Sequence, residues 1–150
     1  MKNVFCINIE KETRENTYYR RVLFTTAYQQ LVLMSVKPGE DIHLEIHPYI
    51  DQFIRIEQGN GKLYIGEKQN EVFELKDGIS ATIPARTWHR IINDSNTPLK
   101  LYTIYSPPNH PENKIDIDRP NETEEHLNIL PTDQHFKQIQ HKKKSNWKIF

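Results

Sequence analysis

Four polar side chains in the middle of the sequence have the types and spacing of a metal-binding cluster. Glu45 and His47 lie two positions apart in an alternating stretch, and side chains two apart in a strand point to the same face. Pro48 favours a turn, after which Gln52 can return beside His47 on the next strand. His89 begins another strand after a proline-containing turn. Two imidazoles, one carboxylate and one amide oxygen are therefore expected to converge.

The cluster predicts a site with nitrogen and oxygen donors. Cys6 is the only cysteine of the chain, so neither an internal disulfide nor a thiolate metal site can form. A divalent ion enclosed by a protein needs donors that replace its water ligands, and it can polarise a substrate oxygen at a vacant position. The alternative is that the four polar residues line the mouth of a barrel and hydrogen-bond with one another.

Three further residues are candidates for substrate binding. Arg86 lies in the turn before His89, where its guanidinium could hold a carboxylate or a phosphate. Tyr102 lies near the last core strand, and His110 lies in the loop that follows it. The alternatives are a surface arginine, a buried tyrosine that uses its hydroxyl as a polar handle, and a loop histidine. His43 shares the predicted face of the cluster and is expected to be an exposed residue near the start of its strand.

The elements that position these residues are predicted to be strands. Short β-branched and aromatic stretches are separated by turn sequences such as those at residues 37–40 and 58–61. The absence of intervening amphipathic helices excludes a βαβ architecture and leaves an all-β sandwich or barrel. The predicted strands cover residues 4–9, 19–26, 30–36, 42–47, 52–57, 62–65, 72–75, 80–83, 88–93 and 99–105.

The composition is typical of one soluble domain with a polar extension. The 150 residues are 36% apolar, and 20 Lys plus Arg balance 20 Asp plus Glu, which argues against a nucleic-acid partner. No apolar run approaches the roughly 20 residues that cross a bilayer, and the start lacks a secretion signal, so a cytoplasmic location is expected. Apolar residues fill 44 of the first 110 positions and 10 of the last 40. We therefore expect a barrel over residues 1–110 and a polar C-terminal extension over 111–150, partly ordered at best.

The candidate cluster also lies within two longer patterns that resemble the motifs of the cupins. The first cupin motif, G-x5-H-x-H-x3,4-E-x6-G, is matched in spacing by Gly39, Glu45, His47, Gln52 and Gly59. The second, G-x5-P-x-G-x2-H-x3-N, is matched by Gly78, Pro84, Arg86, His89 and Asn93. The resemblance implies a double-stranded β-helix, a jelly-roll barrel, over roughly residues 30–105. The chain also resembles small bacterial cupins described as mannose-6-phosphate-isomerase-like.

The resemblance implies a metal site, with departures from the usual ligands. Carried over by position, the ligands are Glu45, His47, Gln52 and His89, but Glu45 replaces a histidine, Gln52 replaces a glutamate and Arg86 replaces a glycine. Two imidazoles and one carboxylate are the set of open non-haem iron sites, and they also suit Mn, Zn, Co or Ni. One carboxylate leaves such a site with a charge of about +1, which favours chelating anions such as hydroxy acids, enediolates or uronates.

Three functions follow from the resemblance. The first is a metal-dependent, isomerase-like enzyme that acts on a small carbohydrate-derived or hydroxy-acid substrate. The second is a non-haem iron dioxygenase in which Glu45, His47 and His89 hold the iron. The third is a binding protein without turnover, whose barrel senses a small molecule. In each case the partner is an anionic or polyhydroxylated small molecule, and a homodimer is expected because cupins usually pair through edge or exchanged strands.

Overall fold

The computed structural model describes residues 4–121, which form one short helix and ten strands. The strands make two antiparallel sheets that face each other, with strand orders β10-β1-β2-β9-β4-β7 and β3-β8-β5-β6. This arrangement confirms the expected all-β jelly-roll barrel. In chain order the elements are α1 (Ile9–Glu15), β1 (Arg20–Thr25), β2 (Gln30–Val36), β3 (Asp41–Glu45), β4 (Asp51–Gln58), β5 (Gly61–Ile65), β6 (Glu71–Leu75), β7 (Ser80–Ile83), β8 (His89–Ile92), β9 (Leu99–Ser106) and β10 (Ile115–Asp116).

The space between the sheets is apolar at one end and polar at the other. Every second residue of β9 is buried, as the two-residue period of a strand requires. At the apolar end Leu99 pairs with Val36 of β2. At the polar end Tyr105 pairs with Gln30 on one side and with Gln52 on the other, which makes a row of three buried polar residues. The register of the large sheet therefore brings polar groups together in one half of the interior.

A bulge in β3 decides which of its side chains face the interior. Ile42 pairs with Ile91 and Glu45 pairs with His89, so the register against β8 shifts by one residue between the two pairs. Residues three apart in a regular strand face opposite ways, whereas here both Ile42 and Glu45 face inward. The expectation that His43 shares the face of Glu45 is therefore wrong.

Residues 111–121 cover one side of the barrel. Ile115 and Asp116 pair with β1, and a buried ion pair joins Asp116 to Arg20 at 2.6 Å. Arg119 donates to the main-chain oxygen of Asp41 at 3.0 Å and to Nδ1 of His43 at 2.5 Å. His43 is consequently 7% exposed rather than the exposed residue that was expected. The rest of the charged extension, residues 122–150, lies outside the described residues.

The strand predicted at residues 4–9 is wrong, because a helix begins at Ile9. Asn8 caps this helix, and its side chain accepts a hydrogen bond from the main-chain N–H of Lys11 at 3.0 Å. Two glutamates lie in the first turn, where they complement the helix dipole. The fully buried Thr13 packs this helix onto the outer face of the large sheet. In residues 4–121 the structure contains no helix that is long and apolar enough to span a membrane.

Gly59 supports a close approach between two turns, which generates a prediction for stability. Its φ is +88°, and a Cβ at this position would collide with the main-chain oxygen of Pro98. Gly39 has a similar φ of +81°, but a Cβ there would meet nothing within 4 Å. Gly39→Ala should therefore lower the free energy of unfolding by about 1–2 kcal/mol from backbone strain. Gly59→Ala should lower it by about 2–5 kcal/mol, because steric overlap adds to the same strain. Urea unfolding of both variants measures the difference, and equal losses would contradict the proposed contact.

Candidate metal centre

Three side chains converge inside the barrel: Glu45 at the end of β3, His47 in the segment after β3, and His89 at the start of β8. Glu45 Oε1 lies 3.2 Å from Nε2 of His47 and 3.3 Å from Nε2 of His89. One ligand atom from each residue lies within 4.8 Å of the other two. Within residues 4–121 this is the only group of three His, Cys, Asp or Glu residues with that spacing. The side chains of His47 and His89 are 3% and 2% exposed and that of Glu45 is 13% exposed, so the group is almost enclosed.

The main chain fixes the orientation of His89 and joins the two halves of the site. Nδ1 of His89 donates to the main-chain oxygen of Thr87 at 2.9 Å, which directs Nε2 toward Glu45. The main-chain N–H of Arg86 donates to the oxygen of His47 at 2.8 Å. The turn before β8 is therefore hydrogen-bonded to the segment after β3. A ligating histidine whose second nitrogen is held in this way is typical of protein metal sites.

The charges of the cluster are mutually dependent. Burial alone would raise the pKa of Glu45, but the charges and hydrogen bonds of His47 and His89 outweigh burial and hold that pKa well below its ordinary value. Burial would lower the pKa of His89, but the hydrogen bond and the charge of Glu45 outweigh it, so the net pKa is raised. An ionised carboxylate thus lies inside the barrel because positive charge is available beside it.

Gln52 presents an oxygen that is not used elsewhere in the described structure. The residue is 2% exposed, and its Nε2 donates to Oγ1 of the buried Thr103 at 3.0 Å. Its Oε1 is buried without a hydrogen-bond partner among residues 4–121. Gln52 pairs in register with Tyr105, whose ring meets the His47 ring edge-on at 5.8 Å between centroids. A buried, unsatisfied acceptor costs stability, so its presence next to the cluster favours a ligand for it.

The donors fit a divalent transition metal ion. Two imidazole nitrogens and one ionised carboxylate suit Mn, Fe, Co, Ni or Zn, and the amide oxygen of Gln52 adds a neutral donor. The carboxylate is already almost enclosed and Nε2 of His89 already faces it, so a metal ion that replaces the imidazole proton requires little rearrangement. The residues therefore meet the requirements of donor type, spacing and orientation for such an ion.

The three residues expected to bind substrate have different positions. Arg86 is exposed on the turn and has a φ of +68°. That left-handed conformation explains why the cupin motif has glycine there. Tyr102 lies on the outer face of the large sheet against Phe53, with ring centroids 6.3 Å apart, and is directed away from the cluster.

His110 packs against Tyr105, whose ring also contacts His47 of the cluster. Its ring meets that of Tyr105 edge-on at 5.2 Å between centroids. Gln30 holds its main chain, since Oε1 accepts from the N–H of His110 at 2.9 Å and Nε2 donates to its carbonyl at 2.7 Å. Burial, followed by the charge of Arg20, holds the pKa of His110 well below its ordinary value. The histidine is thus a neutral, partly buried neighbour of the site.

Sequence reasoning did not assign a site role to Thr103, Tyr105 or Gln30. Thr103 orients the Gln52 amide, Tyr105 packs against two histidine rings, and Gln30 holds the loop that carries His110. The available signal is the two-residue period of β9, which puts Thr103 and Tyr105 on one face. Their role depends on the pairing of β9 with β2 and β4, which the sequence alone does not give.

Comparisons with known proteins agree with this fold. A family model for the cupin domain matches residues 32–105. The crystal structure of BH2720 from Bacillus halodurans has 45% sequence identity and a TM-score of 0.75, with 77% of this chain and 89% of that chain covered. The chain belongs to the cupin superfamily.

Two uncharacterised proteins are similar in sequence. The protein L612 of Acanthamoeba polyphaga mimivirus is 54% identical over 118 residues, which are 78% of this chain and 74% of L612. The protein YrkC of Bacillus subtilis is 49% identical over 110 residues, which are 71% of this chain and 59% of YrkC. The match to YrkC therefore leaves a substantial part of that protein outside the similarity.

Alanine variants of His89 and His43 distinguish a metal ligand from a histidine with only a structural role. His89→Ala should weaken binding of a divalent metal by more than about 100-fold, since changes to second-shell groups alone cost 10–100-fold. His43→Ala should change metal affinity by less than about threefold, because His43 faces Arg119 outside the cluster. It should still lower the free energy of unfolding by about 1–3 kcal/mol through the lost hydrogen bonds. Metal titration and urea unfolding measure the two effects, and equal losses of metal affinity would contradict the assignment of faces.

Restoring the motif glycine should stabilise the turn. Arg86→Gly removes the strain of a left-handed arginine, worth about 1–2 kcal/mol, and adds about 0.5–1 kcal/mol of unfolded-state entropy. The free energy of unfolding should therefore rise by about 0.5–1 kcal/mol with no change in metal affinity. The neighbouring Ala85→Gly is the control, because Ala85 has no positive φ and should lose stability. A loss in both variants would show that Arg86 is not strained.

Proposed function

We propose that this cupin binds one divalent transition metal ion through Glu45, His47 and His89, with Gln52 as a fourth ligand, and acts on a small hydroxy- or oxo-acid. The observation that carries the proposal is the convergence of three ligand atoms, one each from Glu45, His47 and His89, within 4.8 Å in an almost enclosed part of the barrel. When bound, such an ion is a Lewis acid that stabilises negative charge on a substrate oxygen, as an enediolate-type isomerisation requires.

The residues around the cluster have separate tasks in this proposal. Glu45 supplies the single negative charge, so an occupied site keeps a charge of about +1 and attracts an acid. Thr87 and Thr103 act as positioning residues, because they hold His89 and Gln52 in their ligating orientations. Tyr105 and the neutral His110 form an aromatic wall that limits access of water from the polar end.

Two features bear on the expected partners, a small molecule and a second copy of the chain. His110 is the residue of the three substrate-binding candidates whose placement suits a ligand contact, since its Nδ1 is buried without a hydrogen-bond partner among residues 4–121. The expected homodimer and cytoplasmic location remain predictions. Ile115 in the short edge strand β10 and Ile117 just after it are exposed, and a second copy of the chain would cover them.

Reconstitution with metal tests the proposal directly. The full chain, stripped of metal and then dialysed against Mn, Fe, Co, Ni or Zn, should retain about one equivalent of at least one of them. At a free metal concentration of 100 Kd, the free energy of unfolding should rise by about 2.7 kcal/mol. Glu45→Gln should abolish both effects. Glu57→Gln is the matched control, because Glu57 is also buried and charged but pairs with Arg55 outside the cluster.

The proposal fails if the chain retains less than about 0.1 equivalent of every metal. It also fails if Glu45→Gln and Glu57→Gln retain the same amount. Metal content is measured by atomic emission, and stability by urea unfolding of the same samples.

A second candidate function, an iron-dependent dioxygenase, is favoured by one observation. The triad has two imidazoles and one carboxylate, the ligand set of open non-haem iron sites. Oxygen uptake by the iron-loaded chain in the presence of candidate acids distinguishes this function from an isomerase, which consumes no oxygen. Binding of acids without oxygen uptake or conversion would instead identify a non-catalytic binding protein.

A further inference from the structure

A second feature of the interior lies beside the candidate metal centre. A cavity of about 490 Å³ opens between β6 and β7, the strands at the adjoining edges of the two sheets. No ladder joins these two strands, so the sheets separate there. The volume of the cavity is within the range of small-molecule sites.

The cavity shares its walls with the metal centre. Ile65 and Ile83 line it, and these residues pair in register with His89 and Gln52 respectively. Thr87, whose main-chain oxygen holds His89, also lines it. Side chains of directly paired residues lie on the same face of a sheet. A molecule in the cavity therefore lies next to the side chains that are proposed to hold the ion.

The lining of this cavity is apolar and lacks positive charge. Most of the lining side chains are aliphatic or aromatic, and its charged members are Glu71 and Glu74 near the exposed edge. Among residues 4–121, no lysine, arginine or histidine lines it. The acidic edge disfavours a phosphate or carboxylate in the cavity, so an anionic group is attracted to the metal end instead. The apolar lining residues are Leu63, Ile65, Phe73, Leu75, Ile79, Ala81, Ile83 and Pro84.

We infer that the site takes an acid with an aliphatic or aromatic group, rather than a sugar or sugar acid. This inference rests on the proposed function, because the acid group of the ligand is assigned to the metal centre. The apolar group then fills the cavity between β6 and β7. A sugar chain there would lose water from several hydroxyls, and few partners replace it, since the polar lining consists of three hydroxyl side chains and two carboxylates. The inference narrows the expected substrate from polyhydroxylated compounds to apolar-substituted hydroxy or oxo acids.

A homologous series of ligands tests the inference. The full chain, loaded with Mn(II), is titrated calorimetrically with glycolate, 2-hydroxybutyrate, 2-hydroxyhexanoate and 2-hydroxyoctanoate, and with gluconate as the polyhydroxylated counterpart. Each added methylene should lower Kd about threefold to fourfold. Gluconate should bind no more tightly than glycolate.

Two variants locate the effect. Ala81→Phe fills the cavity and should remove the dependence of Kd on chain length, while metal content and glycolate affinity stay unchanged. Phe73→Ala removes a half-exposed part of the lining and should reduce that dependence, so it carries the test if Ala81→Phe does not fold. Ala27→Phe adds the same ring in the exposed turn between β1 and β2 and should behave like the unaltered chain.

The outcomes separate this inference from the proposed function. Three results would overturn the inference even with metal bound. They are a Kd that does not change with chain length, tighter binding of gluconate than of 2-hydroxyoctanoate, and equal effects of Ala81→Phe and Ala27→Phe on the Kd series. If the chain retains no metal but its affinity for the same series still rises with chain length and is lost in Ala81→Phe, the metal function is overturned and the apolar site stands.

Discussion

Burial of one carboxylate, that of Glu45, is the constraint on which the rest of the site depends. An isolated charge inside a barrel is strongly unfavourable, so it must be neutralised or balanced by a neighbour. Here the two imidazoles provide the balance, with nitrogens 3.2 and 3.3 Å from one carboxylate oxygen. A proton on an imidazole and a divalent cation are alternative sources of the same compensating charge. The geometry that keeps the acid ionised is therefore also the geometry that binds a metal.

Two local departures from regular structure and one strand register create that geometry. The bulge in β3 turns Glu45 inward, although strict alternation would put it on the opposite face from Ile42. A left-handed Arg86 allows the turn before β8 to hydrogen-bond the segment that carries His47. The register of β9 with β4 puts Gln52 beside Tyr105. The bulge costs some regular pairing and Arg86 carries backbone strain, and all three features contribute to the same enclosed site.

The fold and the cluster could largely be predicted from the sequence, because strand spacing and the two motifs constrain both. Nine of the ten structured strands coincide with predicted ones; the exception is β10, which is too short to show a period. The helix at Ile9 was missed because the apolar residues before it resemble a strand, whereas the cap at Asn8 determines the structure. The face of His43 could not be predicted, since a bulge leaves no trace in composition. The cavity between β6 and β7 depends on which strands remain unpaired, a property of the whole topology rather than of any segment.

The two long sides of the sandwich differ in how firmly they are joined. On one side, the segment from Ile115 to Arg119 ties β1 and β3 together through a short ladder, an ion pair and the contacts of Arg119. On the other side, no ladder within residues 4–121 joins β6 to β7. The two sheets are therefore joined more firmly on the side of β1 and β3. We expect any widening of the barrel that admits a ligand to occur between β6 and β7. A bulky ligand would then be accommodated without moving Glu45, because Glu45 lies in β3 on the firmly joined side.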